Sequence, residues 1–97
     1  MHILRVVIRS FKSKGLRSLW ETGKSAKIAA ATQSRALKRL DALDGAISLS
    51  SLDQPGFDFH ALHTKPQRYT LHVNGPWCIT FEWDGADASR VDLEQYH

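Results

Sequence analysis

The residues best suited to chemistry lie in the second half of the chain, where polar and apolar side chains alternate. Alternation in Tyr69–Asn74 and Trp77–Trp83 predicts two strands whose apolar residues share one face and whose polar residues share the other. His72 lies on that polar face, and a histidine side chain can exchange a proton near neutral pH. Lys65 and Arg68 supply positive charge of the kind that stabilises a phosphate during cleavage. These residue types fit RNA transesterification, while the alternative of a merely solvated histidine stays open.

Two other groups of residues suggest chemistry but are better explained by packing or solvation. His60 and His63 lie three residues apart, and His97 could join them as a third metal ligand. Residues three apart in an extended segment do not share a face, and no cysteine or carboxylate completes zinc spacing, so we predict no metal and no cofactor. Cys78 is the single cysteine, which excludes an intramolecular disulfide, and it is predicted to be a packing residue.

Positive charge is concentrated in the first part of the chain. The net charge is +3, but the first 40 residues hold ten of the thirteen Lys and Arg and a single acid, Glu21. A clustered cationic surface favours a polyanion such as nucleic acid or ribosomal RNA, with salt-dependent binding. Lys12 and Lys14 are therefore predicted phosphate contacts. Ordinary solvated helix faces explain the same charge equally well.

Hydrophobic spacing predicts the elements that must position these residues. Leucines and a tryptophan at helical spacing predict a helix over Lys12–Thr22, and high helix propensity predicts a second over Ala29–Leu43. β-Branched and alternating residues predict five strands. These strands cover residues 3–9, 57–61, 69–74, 77–83 and 90–94. The order β-α-α-β-β-β-β implies an α+β fold with two helices on one face of a mainly antiparallel sheet, which leaves the other face partly available.

Length and composition set the broad class of the protein. With 97 residues and 42% hydrophobic content, the chain suits one domain spanning residues 1–97. No apolar run approaches the roughly 18 residues of a membrane helix, and the apolar stretch near the start is too short for a signal peptide. The expected location is the cytosol, with no membrane partner.

A series of short motifs carries a family resemblance over nearly the whole chain. In order, they are Ile8–Leu16, Glu21–Gly23, Leu40–Asp44, Phe59–Leu62, Val73–Trp83, Asp84–Ala88, Val91–Asp92 and Gln95–His97. This series resembles the HigB toxins, a branch of the RelE-like endoribonucleases. The resemblance implies a RelE-like fold, ribosome-associated cleavage of mRNA, and a HigA-like helix-turn-helix antitoxin that, with the toxin, represses their operon on operator DNA. Residues 1–7 precede the family's usual start and are expected to be an extension or the product of an upstream start codon.

The resemblance carries some site residues over and replaces others. Tyr96 and His97 match the family's terminal pair, which implies that His97 is the acid/base group and that Tyr96 orients it or stacks on a base. The family usually has Lys-Gly where this chain has His63-Thr64, arginine where it has Cys78, and often arginine where it has His72. His63 and His72 are secondary catalytic candidates. Cysteine offers no fork of donors for phosphate, so weakened transition-state stabilisation is expected.

Three functions are compatible with these observations. In the first, the chain is a type II toxin that cleaves mRNA on the ribosome and inhibits translation, with Lys65 and Arg68 replacing the family's missing cations. In the second, motivated by Cys78, it is a catalytically degenerate toxin that binds its antitoxin and acts as an operon co-repressor. The third, which rests on charge alone, is a stand-alone nucleic-acid-binding domain without an antitoxin.

Overall fold

A computed structural model describes residues 6–95, so the predicted catalytic pair Tyr96 and His97 lies outside the described residues. Within that range the chain forms two α-helices, one 3₁₀ turn and four strands. They are α1 (Lys14–Thr22), α2 (Ala30–Leu43), the turn Leu49–Leu52, β1 (His60–Leu62), β2 (Arg68–Asn74), β3 (Trp77–Trp83) and β4 (Ala88–Gln95). Both helices begin within two residues of their predicted starts, and β3 has the predicted bounds.

The strands form an antiparallel sheet in the order β1-β2-β3-β4. One face of this sheet packs with the two helices in a common apolar core. The fully buried members of that core include Leu16, Leu19, Leu40, Leu43, Leu71, Val73, Ile79, Phe81 and Val91. The predicted α+β architecture is therefore confirmed. Among residues 6–95, no helix combines the length and the apolar character needed to cross a membrane.

The ends of α1 follow from local sequence. Ser13 lies in an extended conformation before the helix, and its hydroxyl accepts the N–H of Leu16 at 3.0 Å. Gly23 ends the helix at φ 83°, a left-handed conformation that glycine adopts without a steric penalty. Its N–H donates to the carbonyl of Leu19, which satisfies one of the last backbone acceptors. These caps fix the two ends of α1, and Lys14 is its first residue.

The strand predicted over residues 3–9 does not form in residues 6–9, so this prediction is wrong there. Residues 3–5 lie outside the described residues. The segment Val6–Phe11 makes only two isolated parallel bridges, both to β4. Two N–H groups that a regular ladder would use are taken by carboxylates, because Val7 donates to Asp87 at 3.1 Å and Ile8 donates to Asp44 at 3.1 Å. A β-branched composition predicts an extended backbone but not the partner that its N–H groups find.

The strand predicted over residues 57–61 begins later, at the first residue of β1. Asp58 has φ 47°, in the left-handed region that strands do not use, so the extended run is interrupted there. Phe57 is buried in the core, and its carbonyl accepts the N–H of His72 at 2.6 Å. The segment before β1 therefore hydrogen-bonds to β2 without forming the predicted strand.

Candidate nucleic-acid interface

We term the side of the sheet opposite the helices the polar sheet face. The pairing register arranges this face in three cross-strand rows. The rows are His72, Cys78 and Glu94; then Thr70, Thr80 and Asp92; then Arg68 with Glu82. Neighbouring rows lie about 7 Å apart, because two strand residues separate them. The face therefore carries its histidine at one end and its arginine at the other.

The middle of the polar sheet face is less open than the alternating sequence predicts. Thr80 is completely buried, Thr70 is 2% exposed, and Cys78 is 8% exposed. Nη2 of Arg68 donates to the Thr80 hydroxyl at 3.0 Å, and that hydroxyl in turn donates to the carboxylate of Glu94. In the middle row only Asp92 stays partly exposed, so the histidine and the arginines that could meet a phosphate lie at the two ends of the face.

His72 is held firmly at one end of the polar sheet face. Its Nε2 lies 3.0 Å from the carbonyl oxygen of Gly75, and because a carbonyl only accepts, Nε2 is the donor and Nδ1 is the ring atom left for proton exchange. The backbone carbonyl of His72 accepts from Nε of Arg39 at 2.8 Å. The Arg39 guanidinium in turn lies 4.3 Å from the ring centroid of Phe57. A catalytic candidate therefore sits on a rigid strand with its cross-strand partner, Cys78, beside it.

Arg68, at the other end of the face, is already engaged by protein groups. Its Nη1 lies 3.1 Å from the carboxylate of Glu82, and its Nη2 donates to Thr80 and to the carbonyl of Arg90 at 2.9 Å. The side chain is only 13% exposed. A phosphate reaching Arg68 would have to compete with Glu82.

His63 and Lys65 are exposed in the loop between β1 and β2. That loop closes on Arg68, whose N–H donates to the Thr64 hydroxyl at 2.9 Å. Arg68 and His72 are four residues apart on the same strand, a separation of about 13 Å. The structure thus groups Lys65 and His63 with Arg68 and separates all three from His72, so the predicted site residues do not form one cluster.

A second candidate surface lies on the other side of the sheet, at the start of α1. It is an open groove of about 450 Å³ whose lining includes Lys12, Lys14, Lys27, Trp77 and Leu93, and we term it the basic groove. The three lysines are exposed and Trp77 is half-buried. Lysines that reach phosphates, beside an aromatic ring on which a base can stack, are typical of surfaces that bind single-stranded nucleic acid.

The walls of the basic groove are held by the loop between the helices. The side-chain amide of Gln33 donates to the carbonyls of Ser25 and Ile28, both at 2.7 Å, which fixes the loop that carries Lys27. Gly15 lets α1 approach this loop, since a Cβ at that position would lie 3.2 Å from Cβ of Lys27. This close packing contact brings Lys27 into the same groove as Lys12 and Lys14, the two predicted phosphate contacts.

Sequence patterns did not identify Lys27 or Trp77 as functional candidates. Lys27 is one lysine among many in the basic region, and the alternation of Trp77 with core residues predicts a core position for it. Trp77 pairs with Gln95, so the end of β4 forms part of the same region. Trp77 and Cys78 are consecutive and line opposite sides of the sheet, so the basic groove and the His72 row lie on opposite sides of the same end of the strands.

Arg39 and Asp84 have displaced pKa values. Burial, and to a lesser degree the charge of Arg35, lowers the pKa of Arg39, which stays charged because a guanidinium deprotonates only at very high pH. The backbone N–H groups of Asp87 and Ala86 lower the pKa of Asp84 in the turn before β4. Both groups support the scaffold. Within residues 6–95, no three His, Cys, Asp or Glu side chains are grouped so that they could hold a metal ion.

The fold and its surfaces define a small α+β domain with a cationic groove beside a polar sheet face. The family model for HigB, a RelE-like toxin of type II toxin–antitoxin systems, matches residues 9–97. Endoribonuclease HigB from Proteus vulgaris is 34% identical over 92 residues, which covers 94% of this chain and 100% of that protein. The chain therefore belongs to the HigB family of RelE-like toxins, and the resemblance predicted from its motifs is confirmed.

Proposed function

We propose that this chain cleaves mRNA on the ribosome, inhibits translation, and is neutralised by a HigA-like helix-turn-helix antitoxin. The observation that carries the proposal is the position of the basic groove at the end of β4. Gln95 pairs with Trp77, so the backbone leaves the described part of the chain beside the groove. Tyr96 and His97 follow directly, and two residues span at most about 7 Å. RNA held in the groove would therefore lie within reach of the terminal pair.

The proposed reaction is attack of a ribose 2′-OH on the adjacent phosphate. His97 accepts the proton of the 2′-OH as the bond from O2′ to phosphorus forms and the bond from phosphorus to O5′ breaks. The departing O5′ takes a proton from a general acid, for which the candidate is His72 in its imidazolium form, with Nε2–H donating to Gly75 and Nδ1–H giving the proton. Tyr96 orients His97 or stacks on a base. The products are a cyclic 2′,3′-phosphate and a 5′-hydroxyl end.

The proposed phosphate contacts divide between the two surfaces. Lys12 and Lys14 hold RNA in the basic groove, where both are exposed. Lys65 and Arg68 contact a phosphate farther along the strand, and His63 is a secondary group in the same loop. Family relatives usually have an arginine where this chain has Cys78, so charge developing on the cleaved phosphate is offset here by His72 and the groove lysines.

The alternative function is that of a catalytically degenerate toxin that binds its antitoxin and acts as an operon co-repressor. The observation that favours it is the charge of the polar sheet face, where Arg68 is paired with Glu82 while Asp92 and Glu94 add negative charge. RNA approaching this face would meet acids and an occupied arginine. In both functions the toxin–antitoxin complex binds operator DNA, and the protein works in the cytosol.

Cleavage in a cell-free translation system, followed by mapping of the 5′ ends, tests the proposal. The purified protein is added to the same message with and without ribosomes. The proposed function predicts new 5′-hydroxyl ends only on messages that are being translated. Intact message at high protein concentration contradicts it and favours the degenerate toxin.

A further inference from the structure

Glu82 joins two arginines that come from different strands. One of its carboxylate oxygens lies 3.1 Å from Nη1 of Arg68 on β2 and 3.1 Å from Nε of Arg90 on β4. A single anionic oxygen between two guanidinium groups is also the arrangement in which arginines bind phosphate. The carboxylate of Glu82 therefore occupies a position suited to a phosphate oxygen.

Backbone contacts hold Arg90 in this arrangement. Its φ of 49° lies in the left-handed region, which is strained for a residue with a side chain, at the register shift between β3 and β4. Its N–H donates to the Ser10 hydroxyl at 2.8 Å, and its carbonyl accepts from Nη2 of Arg68. A strained residue fixed on both sides fits a functional constraint better than a freely solvated arginine.

Exposure decides which arginine an incoming anion would meet. The side chain of Arg68 is 13% exposed and that of Glu82 is 21% exposed, whereas that of Arg90 is 61% exposed. The loop that carries Lys65 leads directly into Arg68. An anion approaching this end would meet Arg90 and Lys65 first, and it could then displace Glu82 from the pair.

We infer that Arg68 and Arg90 form a binding site for an RNA phosphate and that Glu82 occupies this site in the free protein. The inference rests on the proposed function only in taking RNA as the ligand. Glu82 lies five residues along β3 from Trp77, or about 17 Å, so the bound phosphate is remote from the groove and from the bond that is cleaved. The arginine pair positions RNA, and Glu82 limits its affinity.

The test is binding of a short fluorescent single-stranded RNA to the purified protein, followed by anisotropy over a range of salt concentrations. Glu82→Gln is expected to lower Kd about fivefold and to steepen the dependence of log K on log salt by about one phosphate contact. Asp92→Asn is the matched control, because it removes one negative charge from the same face, and it is expected to change Kd less than about twofold. In the double variant Glu82→Gln with Arg90→Gln, the gain is lost.

Three results would overturn the inference: an equal gain from Asp92→Asn, a gain that persists in the double variant, or no RNA binding by wild type and Glu82→Gln alike. If Glu82→Gln fails to fold, Glu82→Asp is used, because the shorter side chain keeps the negative charge but draws it away from Arg90. This variant must show a smaller gain in affinity that also depends on Arg90. The outcome is separate from that of the proposed function. If the protein cleaves mRNA on the ribosome but Glu82→Gln does not bind RNA more tightly, the proposed function is supported and this site is contradicted. If Glu82→Gln binds RNA more tightly but no cleavage occurs, this site is supported and the proposed function is contradicted.

Discussion

The polar sheet face and the basic groove both carry cations, but those of the sheet face are paired with a carboxylate. On the sheet face, Arg68 and Arg90 both pair with Glu82. The lysines of the groove are exposed, and none of the ion pairs found within residues 6–95 involves a lysine. Charge in a sequence therefore does not locate a polyanion site by itself. The partners that each charge finds in the fold decide where a phosphate can bind.

The largest expected effect concerns the proposed acid/base group, His97. His97→Ala should reduce ribosomal cleavage about 100-fold or more, because a positioned acid/base group contributes about 10²–10⁴-fold. Lys38→Ala is the control, since Lys38 is an exposed residue on α2 outside the groove lining and should leave cleavage unchanged. Rates of 5′-end formation measure both. Equal rates for the two variants would show that the terminal histidine is not catalytic.

The next effect concerns the end row of the polar sheet face. Cys78→Arg places a guanidinium in the row of His72 and Glu94, at the end of the sheet where the groove begins, and should raise cleavage about tenfold. Cys78→Ser, which adds no charge, should leave the rate within about twofold. Growth arrest on expression gives a second measurement. If the arginine variant converts a harmless protein into a toxic one, the degenerate function is supported for the parent.

Removing groove lysines should weaken RNA binding without affecting the fold. Lys14→Gln with Lys27→Gln should raise the Kd for single-stranded RNA about fivefold and should lower the salt slope by about 1.4, or about 0.7 per lost phosphate contact. The control pair Lys24→Gln with Lys38→Gln removes the same charge from exposed positions outside the groove lining. Anisotropy titrations at several salt concentrations measure both pairs. Equal losses would mean that net charge alone attracts RNA and that the groove has no special role.

The smallest expected effect concerns the stability of the protein and the two buried threonines, Thr70 and Thr80, in the middle row of the polar sheet face. The hydroxyl of Thr70 is buried and has no hydrogen-bond partner among residues 6–95. Thr70→Val keeps the shape and removes the unsatisfied group, so it should stabilise the protein by about 1 kcal/mol. Thr80→Val, which removes a hydroxyl bonded to Arg68 and Glu94, should destabilise it by a similar amount. Thermal unfolding gives both values, and a destabilising Thr70→Val would mean that ligands or water satisfy that hydroxyl.

Sequence patterns predicted the fold better than the contacts that make a site. Alternation gave the bounds of β3, and helical spacing gave both helices, because these periodicities arise from the backbone itself. Alternation puts Arg68 and Glu82 on one face of the sheet, but it does not predict the ion pair between them. Lys27 reaches the groove through the close approach of Gly15, and Trp77 joins it from the far end of the chain. Such tertiary neighbours leave no local pattern.

The most direct test of the account asks where RNA lies on the protein. Single-stranded RNA containing 4-thiouridine is irradiated with the purified protein, and the crosslinked peptides are identified by mass spectrometry. We expect crosslinks to peptides that contain Trp77 and Lys27, and we expect the Trp77 crosslink to be lost in the double variant Lys14→Gln with Lys27→Gln. Crosslinks that spare the groove and fall only on the loop between β1 and β2 would contradict it.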